Sequence, residues 1–115
     1  MISQVAGRAA VTVTSVAAVP MLSGDTAGVS LPTAFSFTLT LTTDQDVAVK
    51  VYVAAGANCG LVLVSGWSAT ATSAAPYVLQ VSASPCQRIY VTAQASSTTA
   101  TNVNCDLLVQ SSAVN

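Results

Sequence analysis

The sequence predicts an all-β fold, an antiparallel β-sandwich of about seven strands, and three observations carry that expectation. Apolar residues recur at every second position through most of the chain, the period of a strand with one buried face. The runs are separated by short polar or Gly/Pro-containing connections. No stretch has an apolar 3.6 period or a capping signature, and the Ala-rich residues 69–75 are interrupted by Thr and Ser. The 115 residues are the size of one domain, because two separate cores would leave each half near the lower limit of autonomous folding. Residues 1–115 therefore read as a single sandwich domain, with 1–8 as a candidate N-terminal arm.

Val11 and Val13 mark a first strand near 9–17. An excursion over 20–33 follows, bracketed by Pro20 and Pro32 and containing Gly24 and Gly28, and it reads as a loop folded over one end of the sandwich. Residues 35–41, FSFTLTL, put Phe35, Phe37, Leu39 and Leu41 on one face, and 47–53, VAVKVYV, do the same for Val47, Val49, Val51 and Val53. A hairpin through the polar connector 42–46, pairing Leu41 with Val47 and Phe35 with Val53, would bury all eight together. Leu61 to Val64 form a short strand ended by Ser65 and Gly66. Tyr77, Leu79, Val81 and Ala83 alternate up to the stop at Ser84-Pro85. The last two strands, 88–95 and 103–110, read as a second hairpin with Ala93 opposite Cys105, Val91 opposite Leu107 and Ile89 opposite Val109.

Composition narrows the function classes. Hydrophobic residues make up 52% of the chain and charged ones 6%, against about 25% charged in an ordinary soluble protein. The charges are Arg8, Lys50, Arg88, Asp25, Asp44, Asp46 and Asp106, and there is no Glu and no His. Solubility must come from hydroxyls and amides, a neutral and weakly self-repelling exterior suited to a protein packed against neighbours. Three basic residues cannot neutralise a run of phosphates or bind an anionic bilayer, so nucleic acid and membrane surfaces are not expected partners. Mean hydropathy is +0.65, yet no stretch reaches the roughly 20 apolar residues of a spanning helix. Residues 9–22 after Arg8 superficially resemble a secretory leader, but Thr12, Thr14 and Ser15 break the run in a strand-like alternation and the chain starts at Met1. Cys59, Cys86 and Cys105 are odd in number, so one thiol at least is free or pairs between chains; Cys59 and Cys86, both in turn contexts, are the candidate disulfide.

No catalytic constellation is visible. Without His, a Ser or Cys nucleophile has no imidazole to take its proton, and a Ser-Lys dyad would need Lys50, which sits on the solvent side of its strand. Asp44 and Asp46 could lend oxygens to a calcium ion, but with no third carboxylate nearby they read as turn residues capping local amides. Three scattered Cys make no zinc site, and no cofactor is expected. The rows Thr38, Thr40, Thr42 and Thr12, Thr14 invite comparison with an ice-ordering face, yet such a face repeats from strand to strand and the 47–53 strand offers Ala48, Lys50 and Tyr52 instead. The candidate functional residues are therefore interfacial: Met21 and Leu22 in the excursion, Tyr52, Trp67 and Tyr90.

The strand layout from about residue 9 to 110 resembles an immunoglobulin-type sandwich in strand count and hairpin order, with a jelly roll as the alternative. It departs from the immunoglobulin pattern at two points: strands 35–42 and 88–95 lack the facing Cys pair, and Trp67 stands in the fourth strand, not the third. In texture the whole chain is similar to small bacteriophage virion proteins of the head-decoration or cement type, on its Met1 start, scarce charge, Ser/Thr/Ala/Val bulk and odd Cys count. That resemblance implies a non-enzymatic structural subunit of a virus particle, assembled in the host cytoplasm, oligomeric, and bound to the major capsid protein or other virion subunits. A cell-surface or tail-associated module that recognises carbohydrate or a host surface through loops 20–33, 54–60 and 94–104 is the second expectation.

Overall fold

The computed structural model describes residues 2–22, 29–30, 34–54, 60–81, 88–96 and 101–111. Among them are ten strands: β1 (Ile2–Val13), β2 (Val19–Pro20), β3 (Val29–Ser30), β4 (Ala34–Thr43), β5 (Val47–Ala54), β6 (Val62–Leu63), β7 (Ala69–Ala71), β8 (Tyr77–Val81), β9 (Arg88–Ala95) and β10 (Thr101–Ser111). One 3-10 turn, Ser65–Trp67, interrupts them. All pairings are antiparallel, in two sheets ordered β1-β10-β4-β8 and β2-β9-β5-β6, with β3 also on β9 and β7 also on β5. The expected all-β antiparallel sandwich is the fold of this chain.

The pairings nest. β5 pairs with β6 and β7, β4 with β8, β9 with β3 and β2, and β1 with β10, so each strand of the first half finds its partner progressively further along the second. β2 and β3 lie end to end on β9, and β6 and β7 do so on β5, so each pair fills one strand position. The chain is one long ladder folded over on itself and closed by β10 on β4 and β9 on β5.

Both expected hairpins are corrected by this order. β4 and β5 lie in different sheets, as do β9 and β10. Leu41 pairs with Cys105 and Tyr77, Val47 with Ala95 and Ala71, and Ala93 with Val49 and Val19. The inward faces were read correctly, since Phe37, Leu39, Leu41, Val47, Val49, Val51, Ile89, Val91, Ala93, Val103, Cys105 and Leu107 are all buried. A period of two fixes which face a side chain takes, and it is equally satisfied by neighbours in one sheet or by opponents across a core. Two long-range hydrogen bonds hold the 44–46 connector as it crosses. Asp44 Oδ1 accepts from Asn102 N–H of β10 at 3.2 Å, while the Asp46 carbonyl accepts from Ser96 N–H beyond β9 at 3.1 Å. Residues two apart are thus tied to opposite sheets. The exit of β1 is tied in the same way, Thr14 and Ser15 carbonyls accepting from Ala95 N–H and Gln94 Nε2 at the end of β9.

Residues 2–8 of the expected arm are part of the sheet: Ile2 to Arg8 pair with β10 from Gln110 to Cys105. Two register shifts, at Gln4/Ala6 and Arg8/Val11, break this edge strand. Irregularities of that kind twist an edge and discourage stray pairing, and they also blur the alternation that would have marked a strand. Arg8 Nη1 reaches the Pro20 carbonyl at 2.8 Å, strapping the edge of one sheet to the edge of the other. Fully burying side chains of this size contributes about 1.5–3 kcal/mol each, so the two-sheet core, and not the few charges, holds the domain together.

Candidate functional site

The candidate site is the pair of broad outer faces of the two sheets. On the β9-β5 sheet the outward positions form rows across the strands: Thr92 beside Lys50, then Tyr90 beside Tyr52 beside Leu63, then Arg88 beside Ala54, with Thr92 and Ala54 themselves buried. The Tyr52 and Tyr90 rings lie 5.5 Å apart at 46°. Burial raises the Tyr90 phenol above its ordinary range, with Tyr52 adding to the effect, so the Tyr90 ring stays a neutral hydrogen-bond donor near pH 7. The two tyrosines expected at an interface are therefore brought together, half-buried, on one face. Leu63 extends their row and is 42% exposed.

The opposite face, on β10-β4-β8, is hydroxyl and aliphatic. Its rows are Asp106–Thr40–Val78 and Leu108–Thr38–Gln80, with Asn104 beside Thr42 and Asn102 beside Thr12. The Thr38, Thr40, Thr42 row thus has β10 and β8 as neighbours in place of 47–53, and neither repeats it, so no threonine array forms. Val78 and Leu108 are 57% and 38% exposed. They were missed as surface residues because apolar neighbours, Tyr77 and Leu79, Leu107 and Val109, hide them in continuous apolar runs. Their signal was parity: each is apolar at an outward position of its strand.

Other expected residues lie elsewhere. Met21 and Leu22 are core residues, 0% and 4% exposed, not surface contacts. Met21 N–H continues the edge ladder by donating to the Val91 carbonyl at 2.8 Å, which holds the segment against the core. Trp67 is half-buried at the rim, edge-on to Phe37 with ring centroids 6.0 Å apart, and its carbonyl accepts the Tyr77 hydroxyl at 2.6 Å. Its work is closing the end of the core. Cys59 and Cys86 fall outside the described residues, and so does much of the three end loops.

No family model, curated protein or solved structure matches this chain.

The remaining reactive groups are built into the structure. Cys105 is a free, buried thiol on the inner side of β10, and burial, reinforced by Asp106, pushes it up to about 12. A thiol held protonated and out of solvent is no nucleophile. Asp44 is engaged in capping the start of β10, and the Thr43 hydroxyl donates to the Gln45 carbonyl at 2.6 Å, the arrangement of a turn. Among the described residues no three His, Cys, Asp or Glu gather as a metal site, and no helix is long and apolar enough to cross a membrane. What the surface offers is area, hydroxyls, a tyrosine pair and a few separated charges.

Proposed function

We propose that this chain is a non-enzymatic structural subunit of a virus particle, a capsid decoration or cement protein that stabilises contacts between coat subunits. The observation that carries the reading is the pair of weakly charged outer faces, tyrosine-bearing on one side and threonine-bearing on the other, on a rigid two-sheet core. Such faces lose little on desolvation, because few charges must be stripped of water, and they bury hydroxyls and aliphatics against a neighbour. The mechanical role follows: added interface area across the joints of a shell raises the cost of separating its subunits.

We also infer that the sandwich is a jelly roll and not an immunoglobulin arrangement. In its support, strand positions pair first with last and inward from there, a nested ladder rolled into two sheets, whereas an immunoglobulin domain pairs its last two strands in one sheet. Viral capsid domains are among the uses of the jelly roll.

The test is mass spectrometry of purified virions from the source of this sequence. The chain is expected in many copies per particle, at a fixed ratio to the major capsid protein, and its absence from particles would overturn the reading. Lectin domains also use the jelly roll, which keeps a second reading, a surface-binding module for carbohydrate. Specific binding of the isolated chain on a glycan array, lost when the end loops are exchanged, would favour that module instead.

A further inference from the structure

The two open sides of the sandwich, where the edge strands of its sheets meet, are finished differently. On one side the β1 edge is strapped to β2 by Arg8 Nη1 on the Pro20 carbonyl. β1 is broken there by two register shifts, β2 and β3 are two residues each, and Pro20 has no N–H to offer, all features that blunt an edge. On the other side β8 is tied to the segment between β6 and β7 by the Tyr77 hydroxyl on the Trp67 carbonyl. β6 and β7 are two and three residues long, with the 3-10 turn between them. β8 is an unbroken strand of five residues, YVLQV, whose described pairing is to β4 alone. Among the described edges it alone carries no bulge, break, proline or charge.

The same side exposes apolar surface. Val62 pairs with Val53, which packs against the core, so Val62 takes the inward parity of β6, yet it is 60% exposed. Leu79 and Val81, at inward positions of β8, are half-buried, whereas their β4 partners Leu39 and Phe37 are buried. Phe37 and Val53 lie equally far from the 44–46 connector, so Val81 and Val62 stand at the same end of this side. Val78, on the outward face of β8, is also exposed.

We propose that this side joins two copies of the chain, β8 pairing antiparallel with β8 of the second copy about a two-fold axis through Leu79. What a strand edge recognises is another extended strand, through main-chain hydrogen bonds. β8 is its own complement. With Leu79 on the axis, Tyr77 meets Val81 and Val78 meets Gln80 of the second copy, so inward positions oppose inward ones, exposed positions oppose exposed ones, and no charges are brought together. Two four-stranded sheets become one continuous sheet, and the half-buried Leu79 and Val81 gain cover. The molecule is 24 Å across its shortest axis and the shared strand is five residues long, which puts the contact at the small end of specific interfaces and makes the dimer a weak one. The contact goes beyond the virion reading and is independent of it. Absence from virions would retire that reading alone, and a monomeric chain found in virions would retire this contact alone.

The experiment is sedimentation velocity on the full chain over a concentration series, with circular dichroism to check folding. The wild type is expected to pass from monomer to dimer and stop there, because a two-fold contact uses the same surface on both copies and closes. Val78→Lys combined with Gln80→Lys, both at exposed positions, sets like charges directly opposite at two symmetric places and is expected to weaken the dimer about tenfold or more. Val78→Lys combined with Gln80→Glu sets unlike charges in the same places and is expected to dimerise about tenfold better than the first pair. In the wild type, amide exchange along β8 is expected to slow as concentration rises. A wild type that stays monomeric to about 1 mM, or that grows past the dimer, would overturn the proposal. So would folded double variants that dimerise alike, or a dimer that forms with β8 exchange unchanged.

Discussion

Ala10 holds φ at 53°, in the left-handed region, at the register shift where β1 bulges away from β10. Its N–H leaves the ladder and donates instead to Asn104 Oδ1 at 2.7 Å. An L-residue there costs about 1–2 kcal/mol, and glycine removes that cost while adding about 0.5–1 kcal/mol of unfolded-state entropy. Ala10→Gly should therefore stabilise the domain by up to about 1 kcal/mol, seen as a higher urea midpoint at unchanged slope. Asn104→Ala should cost about 0.5–1 kcal/mol, since water can reach the exposed amide it abandons. A second consequence at this scale concerns alkali. Burial raises the Tyr77 phenol and the Cys105 thiol to about 12 each, with Cys105 adding to the first and Asp106 to the second. Both groups are neutral when protonated and more acidic in the unfolded chain, so the unfolded state releases their protons first as pH rises. Their stability is fully present below about pH 9, and it is lost progressively between the unfolded values and about 12. Urea midpoints measured from pH 8 to 11 should fall above pH 9. Tyr77→Phe should remove part of the slope, and Cys105→Ser or Ala another part.

At the scale of elements, the chain's own edge strand carries weight that its sequence hides. Removing residues 2–8 should strip half of β1 from β10 and also lose the Arg8 strap to Pro20. The truncated chain should unfold at clearly lower urea, whereas trimming a free arm would change nothing. Arg8→Ala alone should cost about 1.5–3 kcal/mol, the range for a hydrogen bond to a charged group, with the lower end expected because the contact is only partly buried. Strand faces were legible because alternation is a local property: Phe37, Leu39 and Leu41 and Val47, Val49 and Val51 could be assigned inward from sequence alone. Strand partners were not. The hairpin from Leu41 to Val47 satisfied the pattern, but Asp44 and Asp46 accept their bonds from Asn102 and Ser96 far along the chain, in opposite sheets. β7, Ala69–Ala71, went unread because three small residues carry little periodic signal, with only Ala71 buried. For the candidate site, Tyr52 and Tyr90 were visible as surface aromatics. That they stand side by side required knowing that β5 neighbours β9.

At the scale of the whole molecule, the nested ladder dictates an order of assembly. The entropy of closing a loop rises with its length, so pairings between sequence neighbours form first unless packing intervenes. Here β5 with β6 and β7 closes the shortest loops, β4 with β8 the next, β9 with β3 and β2 longer ones, and β1 with β10 spans the chain from Ile2 to Gln110. Every outer pairing encloses the inner ones, so forming β5 first shortens the effective loop for each later strand. A fold dominated by such long-range pairing should refold slowly, in roughly milliseconds to seconds. Its transition state should contain β5 with its neighbours and lack β1. Val51, fully buried on β5, and Val11, at the protected side of β1, test this directly. Val51→Ala should slow refolding by most of its equilibrium cost, and Val11→Ala should leave refolding nearly unchanged and speed unfolding instead. Stopped-flow chevrons of the two variants provide the comparison. A reversed pattern would mean that closure of the β1-β10 edge comes first, and that the ladder zips from its ends toward the β5-β7 turn.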